Sequence, residues 1–509
     1  MSEQKKLSRR DFLRLTTLVG AGVTITACAP QVIEKTVVVK ETVPVKETVQ
    51  VKETVQVKET VSVEKLITPT VRATPGSVSY IRFLTQETDA GEVAVYRKMI
   101  SEFEALNPDV RIELQLTGAE SIMERMITAL TSGVTAIDMV QPNPPLAFLL
   151  ATKGYLEPID DVIKELGGED FFYSVYKVKG TAYAVPFGGG ATTFWYRKDL
   201  FDADGIKVPT TYAELDEAAK HFSKKFNPKS PTEFGITLPL SKTQPCQFFA
   251  MPFFWNAGAE VFDKDLKVVI DSPEAVKGLT NYTNLAQYTP EAAINYSWGE
   301  MINNFLSGQT AMSMYLGRML PRTYLNAPNL VGKVQAFMYP KDKLQVCHDD
   351  PNIYVISSKS PVKAACKKWL KYMMQSKLAN DFLCSVPGHL PPATKDQEKW
   401  WAQDKTGCKE LDENVEIKKL VALAQKSAYN MTLNSGGIIE AVKQGKTTFV
   451  ATGSPNPFVT VLEGSDFFIP TMIQNVVLKK MTPEASIKEV APKIDVAIKA
   501  AMKEVGWGA

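Results

Sequence analysis

Val78-Ser-Tyr80-Ile-Arg-Phe83-Leu84, Val110-Arg-Ile112-Glu-Leu114-Gln-Leu116 and Ala136-Ile-Asp138-Met-Val140 are three short runs that decide the fold. The second alternates apolar and polar residues strictly, the period of a half-buried strand. The first reads as a strand and the third as a short strand. Between the first two, Val93 to Leu106 places Tyr96, Met99, Ile100, Phe103 and Leu106 at helical spacing, and Asn107-Pro108 stops the helix. Between the second and third, Ser121 to Ser132 reads as a helix with Gly133 just past its end. Strand, helix, strand, helix, strand predicts a parallel sheet with helical crossovers. In such sheets ligands lie beyond the carboxyl ends of the strands. That rule puts the loops Thr85–Gly91 and Gln141–Pro145 at any site.

Working outward, the chain has 509 residues, 45% of them apolar and 22% charged. That length suits two or three domains, and the composition is that of a globular protein. With 58 Lys+Arg against 56 Asp+Glu, no strongly basic field exists to hold nucleic acid. No apolar run reaches the roughly 20 residues of a membrane span.

The amino-terminal end is different in kind. Ser8-Arg9-Arg10-Asp11-Phe12-Leu13-Arg14 resembles a twin-arginine export motif, and a modestly apolar stretch, Leu15 to Ala27, follows. Ile25-Thr26-Ala27-Cys28 is similar to a bacterial lipobox, in which the cysteine thiol is acylated and becomes the new amino terminus. Residues 1–27 are therefore expected to be a cleaved signal and Cys28 a lipid anchor. Cleavage leaves 53 basic against 54 acidic residues, a charge of −1.

Residues 28–76 follow as a linker. A six-residue unit repeats in it, Lys40-Glu-Thr-Val-Pro-Val45, then Lys46 to Val51, Lys52 to Val57 and Lys58 to Val63. Six is neither a coiled-coil heptad nor a solenoid period. Its charges cancel and four short units cannot bury a core. The segment reads as an extended tether of about 40 Å if flexible.

Beyond the tether the sequence resembles a known family. Phe103-Glu-Ala-Leu-Asn-Pro108-Asp-Val-Arg-Ile-Glu113 looks like the first helix and second strand of family 1 extracellular solute-binding proteins, the sugar and oligosaccharide receptors of ABC importers. Gly133-Val-Thr-Ala-Ile-Asp138-Met-Val is similar to a further motif of that family, with Ala136 where Pro is usual. Lys179-Gly-Thr-Ala-Tyr183-Ala-Val-Pro186-Phe187, Phe194-Trp-Tyr196-Arg-Lys-Asp199-Leu-Phe201 and Gly205-Ile-Lys-Val-Pro209-Thr-Thr-Tyr212-Ala-Glu214-Leu continue the likeness, as do Phe305 to Met312, Ala364 to Met374 and Gly388-His389-Leu390-Pro391-Pro392. It covers roughly residues 77–509, in the family's order.

The resemblance implies an α/β, two-lobed periplasmic-binding-protein-like fold: two parallel or mixed sheets flanked by helices, with a hinge between the lobes. Residues 77–187 plus 350–400 would form the first lobe and 188–349 the second, with 401–509 a helical region packing on the lobes. Gly188-Gly189-Gly190 would be the hinge, because glycine tolerates backbone angles that other residues avoid; an ordinary flexible loop is the other reading. The chain would return to the first lobe near Ile353 to Ser357. The last helix would run from about Thr482 to Glu504, with Thr482 as its cap and a bend at Pro492.

A sugar cleft pairs aromatic faces with hydroxyl-bonding polar groups. The candidates are Gln86 and Asp89 in the first loop, Trp255, Trp298, Tyr315, Arg318, Asp350 in His348-Asp349-Asp350, and His389. For each aromatic, burial in the core competes; for Arg318 and Asp350, solvated surface charge does. The expected partners are a small solute, most simply a sugar, the transmembrane subunits of an ABC permease, and the membrane through the anchor, with the protein a monomer outside the cytoplasm. Neither a cofactor nor a metal is expected. There is no G-x-S-x-G, no histidine pair at metal spacing among His221, His348 and His389, and Gly445-Lys446-Thr447 lacks the rest of a phosphate loop. Two alternatives stay open: a secreted carbohydrate-active enzyme, which needs opposed carboxylates in the cleft, and a receptor-like sensor. Cys246, Cys347, Cys366, Cys384 and Cys408 are odd in number, so at least one stays free or pairs between molecules; folding in a reducing compartment before twin-arginine export predicts mostly buried thiols, with room for one later disulfide.

Overall fold

A computed structural model describes residues 78–507 except 132–135, 173, 386–398, 450–452 and 464–466. Cys28, the tether, Gly133 and His389 lie outside the described residues. The opening pattern forms as the sequence predicts: β1 (Ser79–Thr85), α1 (Ala90–Leu106), β2 (Val110–Leu116), α2 (Ala119–Thr131) and β3 (Met139–Val140). β2 and β3 both pair parallel to β1. α1 buries Val93 and, of the stripe its spacing predicts, Tyr96, Met99, Ile100 and Phe103, whereas Leu106 at its last turn is exposed. α3 (Pro144–Thr152) leaves directly from the end of β3.

β4 (Tyr176–Val178) and β5 (Thr181–Ala191) complete the first sheet from its other side, and β10 (Cys347–Ile356) lies between β3 and β5. β10 runs antiparallel to both neighbours, and the short β11 (Ala428–Tyr429) pairs with its beginning. The strand order is therefore β2-β1-β3-β10-β5-β4. The second sheet has the order β7-β8-β6-β9, built from β6 (Thr193–Arg197), β7 (Phe234–Thr237), β8 (Thr310–Tyr315) and β9 (Val334–Phe337). The fold is mixed α/β in two lobes, one around each sheet.

The expected glycine hinge is not a loop of unusual backbone. Gly188, Gly189 and Gly190 lie buried inside β5, opposite Asn352, Pro351 and Asp350 of β10. None of the three has a positive φ. Their strand carries the chain between the lobes, and the register shifts next to them, between Asn352 and Ile353. Pro351 donates no backbone hydrogen bond, so the ladder is weakened there without any left-handed turn. The return strand also starts earlier than expected, at Cys347 rather than near Ile353. His348, Asp349 and Asp350 are thus strand residues, not a preceding acidic turn.

α4 (Gln244–Ala257) forms the spine of the second lobe. Thirteen of its residues, Pro245 to Ala257, are buried, as its apolar character on all sides demands. The carboxyl-terminal helices do not stand apart from this lobe. Leu411, Ile417, Ile438, Phe458, Ile473 and Ile494 belong to one continuous core with Trp195, Phe249 and Met312. The last helix runs from Pro483 to Glu504 through Pro492, and the Thr482 side chain caps it by accepting from the Ala485 amide at 3.1 Å. Cys384 and Cys408 form a disulfide, while Cys246, Cys347 and Cys366 are buried thiols.

Candidate functional site

A cavity of about 270 Å³ lies between the lobes, on the carboxyl side of β1. Both loops that the parallel-sheet rule singled out reach it: Gln86, Glu87 and Asp89 after β1, and Asn143 after β3. The second lobe contributes Gln244, Trp298, Tyr315, Arg318 and Arg322, and β10 contributes Asp350 and Asn352.

Each group is held by local chemistry. Asn143 caps α3 by accepting from the Leu146 amide at 3.1 Å, and its Nδ2 donates to Glu463 at 2.9 Å. Glu87 accepts from Gln141 Nε2 at 3.2 Å, and the Thr85 hydroxyl holds Gln141 in turn. Asp89 sits at the amino end of α1 but makes no cap bond with its side chain. It turns instead to Arg322, whose Nε donates to it at 3.1 Å. Trp298 opens the helix Trp298–Leu306 and packs edge-on against Phe248, Phe249 and Tyr315. Its exposed part faces the cavity.

Ion pairs cross the cleft. Arg318 donates to Glu87 at 2.7 Å and lies 3.5 Å from Glu92 and 3.7 Å from Asp89. Burial pushes the Glu92 carboxyl up to about 8 even though the Arg318 guanidinium opposes the shift. Burial, and then the neighbouring Glu87, push Asp350 up to about 7.

A smaller, enclosed chamber of about 40 Å³ continues inward. It shares Asn143, Gln244 and Asp350 with the outer cavity and adds Gln247, Phe248, His348, Asp349, Asn430 and Glu463. Burial raises Asp349 to about 6 and Glu463 to about 7, and lowers His348 to about 3, so the imidazole is neutral. His348 stacks on Phe248 with ring centroids 3.7 Å apart.

Of the residues chosen from sequence, Gln86, Asp89, Trp298, Tyr315, Arg318 and Asp350 line the outer cavity. Trp255 does not. It is fully buried in α4, packed against His348 and Tyr429 behind the inner chamber. The aromatic run Phe253-Phe-Trp255 inside an all-apolar helix was the available signal for a core position. Glu87, Glu92, Asn143, Gln244, Gln247, Arg322 and Glu463 were not singled out. Arg322 follows Arg318 by one helical turn and could have been found by that spacing. Glu463, 320 residues from its partner Asn143, carried no local signal. Among the described residues no cluster of His, Cys, Asp or Glu is arranged to hold a metal ion.

Residues 89–378 match the model of the bacterial extracellular solute-binding proteins. The chain belongs to that family. A mannitol-binding protein of Pseudomonas aeruginosa is 27% identical over 223 residues, 42% of this chain and 50% of its own length. Among solved structures, an ABC transporter solute-binding protein of Thermotoga lettingae TMO bound with α-D-tagatose is 22% identical. It superposes with a TM-score of 0.65 over 83% of this chain and 99% of its own. One from Agrobacterium radiobacter K84 in complex with ribitol is 20% identical, with a TM-score of 0.65 over 82% and 99%. At these identities the likeness speaks for the fold of this solute-binding protein. No described helix is long and apolar enough to cross a membrane.

Proposed function

We propose that this solute-binding protein is the receptor of an ABC importer that captures a sugar or polyol between its lobes and delivers it to a permease. The observation that carries this reading is the interlobe cavity. Trp298 and Tyr315 offer it aromatic surface, and Asn143, Gln244, Asp350, Arg318 and Gln86 offer hydrogen-bonding groups from both lobes. The mannitol, tagatose and ribitol attributed to its relatives favour the same ligand class. Solute bound by both lobes at once favours the closed form, and no bond is made or broken. Gly188–Gly190 and the irregular register beside them would be where the strands flex. The twin-arginine motif and Cys28 fit export and lipid anchoring of a monomer, with residues 28–76 as its tether; His389 remains a candidate ligand contact.

The test is thermal unfolding against a panel of sugars and polyols. A true ligand at 100 times its Kd should add about 2.7 kcal/mol of stability, a shift of several degrees. No shift with any member, or release of a cleaved product, would overturn the reading.

A further inference from the structure

The inner chamber differs in chemistry from the cavity in front of it. Three carboxylates line it, Asp349, Asp350 and Glu463, and no Lys or Arg does. Two of the three have donors of their own. Asp349 accepts from Gln425 at 3.2 Å and from Asn430 at 3.1 Å. Glu463 accepts from Asn143 at 2.9 Å and from Gln247 Nε2 at 3.4 Å. Gln247 thus gives its amide nitrogen to Glu463. Its other atom, Oε1, is buried and has no hydrogen-bond partner. Gln247 itself is only 4% exposed. Asp350 stands at the doorway between the two spaces, and Arg318, whose charge acts on it, faces Glu87, Glu92 and Asp89 as well. Around the whole site Glu87, Asp89, Glu92, Asp349, Asp350 and Glu463 face two arginines, and His348 is neutral.

The chamber therefore presents one buried acceptor without a donor, Gln247 Oε1, and three carboxyls that burial keeps partly protonated with no cation lining the chamber to ionise them. A buried acceptor left unpaired is costly, and so is an unpaired buried carboxylate. A hydroxyl would satisfy the acceptor but not the charge. A protonated primary amine satisfies both, and at about 40 Å³ the chamber has room for a group of that size. Resting on the receptor reading above, we propose that the solute is an amino sugar or amino polyol, its ammonium seated between Asp350 and Gln247 Oε1 and its hydroxylated body in the outer cavity. The aromatic wall of Trp298 and Tyr315 serves the apolar face of that body.

The experiment uses the whole mature chain and matched pairs differing only in amine against hydroxyl: glucosamine and glucose, galactosamine and galactose, 1-amino-1-deoxysorbitol and sorbitol. Isothermal titration at pH 7 is expected to show, in at least one pair, the amine binding about tenfold or more tighter than its parent. Asp350→Asn should bring that ratio close to one while keeping the neutral parent's affinity. Neutral members binding as well as the amines would overturn the assignment and leave the carbohydrate receptor standing. Binding by neither arm, with no shift across the sugar and polyol panel, would overturn both. Should Asp350→Asn fail to fold, the wild-type ratios alone decide.

Discussion

Residues in this protein are legible from sequence when the environment that gives them meaning is local. Asp89 and Gln86 follow from a rule about strand ends, and both line the cavity. Trp255 has the chemistry of a sugar platform, but its neighbours Phe253 and Phe254 on α4 decide that it packs inward. Glu260 shows the opposite limit. Nothing in its surroundings in sequence marks it, yet it is 1% exposed and accepts hydrogen bonds from the Tyr429 hydroxyl and from the Gly436 and Ile439 amides, at 2.9 and 3.2 Å for the two amides. Burial pushes its carboxyl up to about 7. The folded state therefore holds a proton that the unfolded chain, titrating near 4.5, gives up earlier. The stability linked to that proton is fully present below pH 4.5 and is lost as pH rises through about 7. Asp350, Glu463 and Glu92 act in the same direction, so the informative quantity is a difference between variants. Glu260→Gln, which keeps an acceptor oxygen and removes the titration, should flatten the fall in stability between pH 4.5 and 7 by roughly 1–3 kcal/mol. Urea unfolding at pH 5 and pH 8 measures it, and parallel losses in the two proteins would contradict the assignment.

Elements divide along the same line. The β1-α1-β2-α2-β3 succession was readable because apolar period and loop chemistry agree at every step. The triple glycine suggested unusual backbone angles, while here the strand ladder to β10 supplies an ordinary extended conformation. Burial of α4 was legible from its apolar run, but not what packs against it. The structure shows what fixes it: the helix Pro273–Asn284 crosses it at Gly278, where an added Cβ would stand 2.6 Å from Phe254 Cα and 2.9 Å from the Phe253 carbonyl oxygen. Backbone cannot yield as a flexible side chain would, so the two helices must separate to admit a methyl group. Gly278→Ala should therefore destabilise the protein by about 1–3 kcal/mol through overpacking, although alanine is the better helix former. Because α4 carries Gln244, Gln247 and Phe248, the same variant should also weaken solute binding, which Pro or Gly changes at exposed helix positions would not do. Equilibrium unfolding together with titration of a bound sugar checks both effects, and a more stable variant would show that the crossing relaxes freely.

For the whole molecule the question is what holds the lobes together when the cavity is empty of solute. Arg318 and Arg322 of the second lobe reach Glu87, Asp89 and Glu92 of the first, and Asn143 reaches Glu463. No sequence pattern could reveal this, because the partners are some 230 residues or more apart and meet only when both lobes are built. These charges occupy the mouth of the cavity, so they bias the equilibrium between open and closed forms before any ligand arrives. Removing the arginines leaves the buried Glu92 without its cation while Glu87 keeps its bond from Gln141, and a buried ion pair that loses one partner costs about 3–5 kcal/mol. Opening relieves that cost by returning both carboxylates to water, and Glu92, already raised to about 8, gains most. Arg318→Met with Arg322→Met should therefore shift the solute-free protein toward an open form with a larger radius of gyration in small-angle scattering. Adding saturating solute should close it again only in part, because the solute now has to hold the lobes without the ion pairs. A radius unchanged from wild type in the absence of solute would mean that the apolar and strand contacts of β5 and β10 alone set the angle between the lobes, and that the arginines serve the ligand rather than the closure.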